Sequence, residues 1–184
     1  MDLLDSRRLT GPNVLPAAPA ASIDVAAGGD EIEPLIEAWR EQVRRILDAV
    51  GWTGAKLHER RVAGGVSLGF EAPEDALYAA TDVNDWAYDA ARRVLDGERS
   101  PPVAEAGRAL TDTIARESNA RLVALAAAAR ERELPVLMDD DALSVGYGCR
   151  SRTWPVDDLP VPDRVDWGAL DDIPVGLVTG TNGK

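Results

Sequence analysis

The residues with the most evident chemical use stand together as Val178-Thr179-Gly180-Thr181-Asn182-Gly183-Lys184. Glycines let a backbone curl with its amides pointing inward, which makes a cradle for phosphate oxygens. The lysine adds a compact positive charge for the outer phosphates. Just before them, Ile173-Pro174-Val175-Gly176-Leu177-Val178 has the composition and length of a buried strand. A strand running into a glycine-rich turn that ends in Gly-Lys is the front half of a phosphate-binding loop. ATP is therefore expected at Thr179, Gly180, Thr181, Asn182, Gly183 and Lys184. The commonest such loop has glycine where Val178 stands, and a surface turn could spell the same pentapeptide.

Gly-Thr-Asn-Gly-Lys after an apolar strand resembles the ATP loop of the Mur ligase family, which includes the folylpolyglutamate and cyanophycin synthetases. The resemblance implies a definite chemistry. ATP phosphorylates a substrate carboxylate, and an amine displaces phosphate to form an amide. The amides around Gly180 to Gly183 would hold the β- and γ-phosphates, and Lys184 would neutralise charge during transfer. Magnesium is implied too, its ligands expected downstream: the next residue in the family is Thr or Ser, whose hydroxyl reaches the ion. The helix after the loop, whose amides and dipole complete a phosphate site, is also expected beyond Lys184. The polypeptide is accordingly expected to be an inactive amino-terminal fragment of an active ligase, with amino-acid-like carboxylate and amine substrates.

The preceding residues are similar to the amino-terminal domain of cyanophycin synthetases. The similarity rests on Leu9 to Asn13, on Arg132-Glu133-Leu134-Pro135, and on Leu143-Ser144-Val145-Gly146-Tyr147-Gly148. Those enzymes place an ATP-grasp domain between this domain and the Mur-type one. Here only about thirty residues separate Gly148 from the loop, too few for such a domain. Polymerisation of aspartate and arginine does not follow from the similarity.

Other reactive side chains are better read as structural. His58 is the only histidine and lacks a neighbouring ligand, so a strand position is expected rather than a metal site. Cys149, the only cysteine, has no histidine base nearby in sequence and is expected to be a structural thiol. Asp139-Asp140-Asp141 lacks calcium-loop spacing and suits a solvated hairpin turn. No metal ligands are expected within the chain. The pairs Arg7-Arg8, Arg44-Arg45, Arg60-Arg61 and Arg92-Arg93 could bind an anionic substrate, but in a chain this acidic they are better read as dressing a solvent face. Trp39, Trp86, Trp154 and Trp167 are read as packing residues, although Trp86 with Asn84 and Asp85 could line a pocket for an amino-acid side chain.

Composition narrows the partners. The chain has 184 residues, 45% of them apolar, and carries 32 acidic against 20 basic side chains for a formal charge of -12. Such a surface repels nucleic-acid backbones and anionic lipid, so neither nucleic acid nor membrane is expected as a partner; an oligomer is compatible with the sequence. Met1 to Thr10 contains no apolar signal core. Leu122 to Ala129, the most apolar helical stretch, is short of the about 20 residues that span a bilayer. With a lone cysteine, this leads to the expectation of a cytoplasmic protein.

Several elements must position these groups. Period-two alternation predicts a strand over Ser22 to Ala26. An apolar stripe from Leu35 to Val50 predicts a helix from about Pro34, ended by Gly51. Leu57 to Val62 and Val66 to Phe70, flanking Gly64 and Gly65, predict a hairpin. Further helices are expected after Pro73 up to Gly97, from Ser100 to about Glu117, and from about Asn119 to Arg132. A strand, acidic turn and second strand follow between Leu134 and Tyr147. The expected organisation is an α+β amino-terminal domain over 1–152, a linker over 153–172, and the first strand and phosphate loop of an α/β Mur-type central domain over 173–184. A small-molecule kinase, or a non-enzymatic binding domain, would also accommodate these features.

Overall fold

A computed structural model describes residues 1–11 and 13–176. Its chain is mixed α and β and divides into two compact units, Met1–Ser118 and Asn119–Lys184.

The first unit is a four-stranded antiparallel sheet in the order β1-β2-β4-β3, formed by β1 (Asp2–Leu9), β2 (Ala20–Ala26), β3 (Leu57–Val62) and β4 (Gly65–Glu71). Alternation along β2 and β4 sends Ile23, Val25, Val66, Leu68 and Phe70 to one face, where they are at most 1% exposed. Helices α1 (Gly29–Ala49) and α2 (Leu77–Leu95) bury their stripes in the same core, with Leu35, Trp39, Val43 and Ile46 from α1 and Val83, Ala87 and Ala91 from α2. The hairpin expected around Gly64 and Gly65 forms with Val62 opposite Gly65.

Helix α1 begins five residues before Pro34. Glu31 reaches back to the Gly28 amide at 2.7 Å, and Asp30 and Glu31 suit the positive end of the helix. Pro34 therefore removes one backbone bond near a capped terminus instead of setting the boundary. Strand β1 lies within Met1 to Thr10, where the sequence pattern predicts no strand. Its register with β2 shifts between Leu3 and Asp5, a bulge on a sheet edge.

Helix α3 (Val103–Glu117) packs on α1 and α2. At Gly107 it comes so near α1 that a Cβ would stand 2.9 Å from the Ala49 Cβ. Its last residue supplies what α2 lacks. Ala76 precedes α2 and has no capping side chain, so the Glu117 carboxylate accepts from the Tyr78 and Ala79 amides, each at 2.7 Å.

In the second unit α4 (Ala120–Arg130) is capped by Asn119, whose Oδ1 accepts from the Arg121 and Leu122 amides at 3.1 Å. It packs against an antiparallel sheet of β5 (Val136–Met138), β6 (Ala142–Val145) and β7 (Arg152–Pro155), in that order. The segment 153–172, expected to be a surface linker, instead completes this unit: Trp154, Leu159, Val165 and Leu170 are at most 8% exposed and share the core with Leu122, Leu125, Leu143 and Val145. The boundary expected at residue 152 thus lies inside the unit. Proline and aspartate shape the segment into short 3-10 turns, while every few residues an apolar side chain turns inward.

Glycine geometry holds the end of that segment. Gly146 has φ +83°, and a Cβ there would lie 2.8 Å from the Asp171 carbonyl and 2.9 Å from that of Arg150. The Tyr147 amide donates to the Asp171 carbonyl, and the Arg150 guanidinium donates to the Gly168 carbonyl and to Asp171.

Two substitutions probe these features by urea unfolding. Glu117→Ala is expected to destabilise the first unit by about 1 kcal/mol, as for other lost caps. Trp154→Ala is expected to cost the second unit about 3 kcal/mol; a cost near zero would restore the surface-linker picture.

Candidate functional site

The expected ATP-binding residues, Thr179, Gly180, Thr181, Asn182, Gly183 and Lys184, lie outside the described residues, as does Val178. Only the approach to them is described. Ile173 to Gly176 has no regular structure, and Val175 is 66% exposed, so the expected buried strand is not formed over these residues. Among the described residues nothing pairs with this stretch as a neighbouring strand.

The remaining candidates are dispersed. His58 on β3 places Nε2 3.3 Å from Glu71 Oε1, and Lys56 stands 3.5 Å from the other oxygen. Among the described residues no group of His, Cys, Asp and Glu is arranged to hold a metal ion. Cys149 is exposed, within a 3-10 turn at Gly148–Arg150. Asp139 Oδ1 accepts from the Asp141 and Ala142 amides at 3.0 and 2.8 Å, which makes the acidic run the β5–β6 turn.

The pocket considered around Trp86, Asn84 and Asp85 is not assembled. Asn84 is wholly buried, accepting from Trp39 Nε1 at 2.9 Å and donating to the Leu68 carbonyl at 3.1 Å. Its carboxamide is committed to the core, against which Trp86 also packs. Asp85 instead neighbours β1. Its Oδ1 is buried without a hydrogen-bond partner. Burial pushes the carboxyl above its ordinary value; Ser6 opposes this, and Asp82 and Asp89 add to it. Asp24 goes the other way. Burial would raise it, but hydrogen bonds from Ser67 at 2.5 Å and from Arg7 outweigh burial and hold it below the usual carboxylate value.

The arginine pairs do not behave alike. Arg7 bridges Asp5 and Asp24, Arg61 pairs with Glu33, and Arg92 donates to the Met1 carbonyl. Arg45 turns inward to Gln42 and Ser100, which corrects its reading as a surface residue. Arg44 remains exposed and borders a cleft of about 650 Å³ between α1 and β3. Helix α1 contributes Arg40, Arg44 and Asp48 to it, the chain leading into β3 contributes Lys56, and β3 contributes Glu59, with Leu47 and Leu57 as apolar lining. Sequence reasoning passed over this cleft, although Arg40, Arg44 and Asp48 recur every four residues on α1, the spacing of one helix face.

Compared with known families and curated proteins, the chain matches no family model and no curated sequence. No helix among the described residues is long and apolar enough to cross a membrane.

The raised Asp85 carboxyl sets a pH dependence. A folded-state value above the unfolded one means that the folded chain binds the proton more tightly, so stability falls as pH rises through that window. The penalty is absent below the unfolded value of about 3.9 and complete above the raised folded value. Asp85→Asn is expected to raise the melting temperature at pH 7, with the gain shrinking as pH falls toward 4. A gain that is constant with pH, or a loss at pH 7, would contradict this assignment.

Proposed function

We propose that this chain is the amino-terminal part of an ATP-dependent, Mur-type ligase that joins a carboxylate to an amine through an acyl phosphate. The observation that carries the proposal is the run Val178-Thr179-Gly180-Thr181-Asn182-Gly183-Lys184, an apolar residue followed by Gly-Thr-Asn-Gly-Lys. Bound ATP with magnesium supplies the phosphoryl group that activates the carboxylate. The backbone from Thr179 to Gly183 contributes amide donors, and Lys184 contributes the positive charge facing the outer phosphates.

The test uses the full open reading frame that carries residues 1–184, supplied with ATP, magnesium and a panel of amino acids and small carboxylic acids. Hydroxylamine serves as the amine. ATP-dependent hydroxamate formation is expected, because an acyl phosphate is trapped by that nucleophile. Lys184→Ala is expected to lower the rate by about 100-fold or more, the usual consequence of removing a group that stabilises charge in the transition state. Phosphorylated product without hydroxamate would indicate a kinase. Absence of any ATP-dependent product would leave a binding domain.

A further inference from the structure

Strand β1 is attached to the first unit differently from the rest of the sheet. None of its eight residues is buried, whereas Ile23 and Val25 of β2 and Val66, Leu68 and Phe70 of β4 are at most 1% exposed. Leu3, Leu4 and Leu9 take no part in the core, and Leu4 is 68% exposed. Beyond its ladder with β2, polar contacts hold the strand. Arg7 reaches Asp24 on β2 at 2.6 Å, Arg8 stacks on Tyr78 of α2 at 3.6 Å, and Arg92 of α2 donates to the Met1 carbonyl.

Behind the strand the fit is incomplete. Ser6 lies opposite Ile23, a core residue, and so faces α2. Four buried side-chain polar atoms lack a hydrogen-bond partner among the described residues, and three of them line this seam: Ser6 Oγ, Asp85 Oδ1 and Arg92 Nε. Each would be hydrated if β1 moved away, so closing the strand onto α2 carries a desolvation cost. The ten residues from Thr10 to Pro19 join β1 to β2, a tether long enough for β1 to move while β2 stays in place.

We propose that β1 is a releasable strap, which detaches from β2 and α2 while β2, β3, β4, α1 and α2 stay folded. Its departure takes no large buried side chain out of the core, so it opens no cavity there. What it opens is the edge of β2 over Ala20–Ala26, a row of unpaired backbone donors and acceptors. The state of the strap therefore decides whether β2 is a central or an edge strand. This device does not depend on the ATP loop and stands or falls separately from the ligase.

The measurement is native-state amide exchange of the chain, followed by NMR from zero to moderate urea. Successive amides of β2 point alternately toward β1 and toward β4. The set facing β1 is expected to exchange about 100-fold faster than the set facing β4, with little dependence on urea, as for a local opening. Asp85→Ala is expected to slow the β1-facing set about tenfold, because one orphaned atom no longer opposes closure. Equal protection of the two sets, or one steep urea dependence common to both, overturns the proposal. So does unchanged exchange of the β1-facing set in Asp85→Ala. Should that variant fail to fold, the wild-type pattern along β2 decides the matter without it.

Discussion

Asn84 sits in the middle of the first unit with no access to water, and a carboxamide left unpaired there would cost about 1–3 kcal/mol. Its two hydrogen bonds tie three elements together: Trp39 on α1 donates to it, and it donates to the Leu68 carbonyl on β4, while its own backbone belongs to α2. Apolar packing alone lets a helix slide or rotate by small amounts at little cost. A directional bond at each end of Asn84 removes that freedom, because rotation of either helix would strand a buried polar group. The rotation of α1 about its axis is therefore set by the Trp39 indole. Successive helical residues point about 100° apart, so Arg40 and its four-residue repeats Arg44 and Asp48 are carried to the flank beside β3. The cleft exists at that place because the indole is held where it is.

The second unit reaches a defined structure by other means. Its core holds apolar side chains, and order in its irregular half comes from backbone groups. Arg150 gathers the Gly168 carbonyl and Asp171, and the left-handed Gly146 lets the Asp171 and Arg150 carbonyls come close enough to exclude any side chain. A segment with few regular hydrogen bonds must satisfy its peptide groups individually. Here an arginine fork and a bare glycine take the part that a strand neighbour plays in a sheet.

What was legible in the sequence follows from this division. The helices and the β3–β4 hairpin announce themselves, since Leu35, Trp39, Val43 and Ile46 repeat at helical spacing and Gly64-Gly65 interrupts two apolar-containing runs. Strand β1 does not, because an edge strand needs one partner and one buried face. Its Asp-Leu-Leu-Asp-Ser-Arg-Arg-Leu pattern is broken further by the bulge near Leu4. The stretch 153–172 misleads for a different reason. Proline and aspartate report local chain geometry, whereas burial of Trp154, Leu159, Val165 and Leu170 is decided by α4 and β6, far away in sequence. The same holds for Arg45 and Asn84: polar letters on a helix say nothing about Ser100 or Trp39 until the tertiary fold brings them within bonding distance. The proposed ATP loop is read from residue types alone, since a cradle of backbone amides would ask for little beyond glycine, and it lies outside the described residues.

An acidic chain has two physically different ways to receive an anion. A cradle of backbone amides acts through dipoles fixed at about 3 Å, so it is insensitive to the net charge of the protein. A cleft of side-chain cations acts through charges on exposed, mobile stems. Its attraction competes with the surrounding carboxylates and fades with salt, since the screening length is about 8 Å at physiological ionic strength. In the cleft between α1 and β3 the cations and acids lie well within that length, Arg40 against Glu59 and Lys56 against Glu71. Net attraction there depends on how many of its cations are already neutralised by neighbours. Arg40 is, Lys56 only in part, and Arg44 not at all among the described residues. Taken together, Arg40, Arg44 and Lys56 are matched by Asp48, Glu59 and Glu71, so the formal charges around the cleft sum to zero and an anion gains little there beside what a cradle of backbone amides offers.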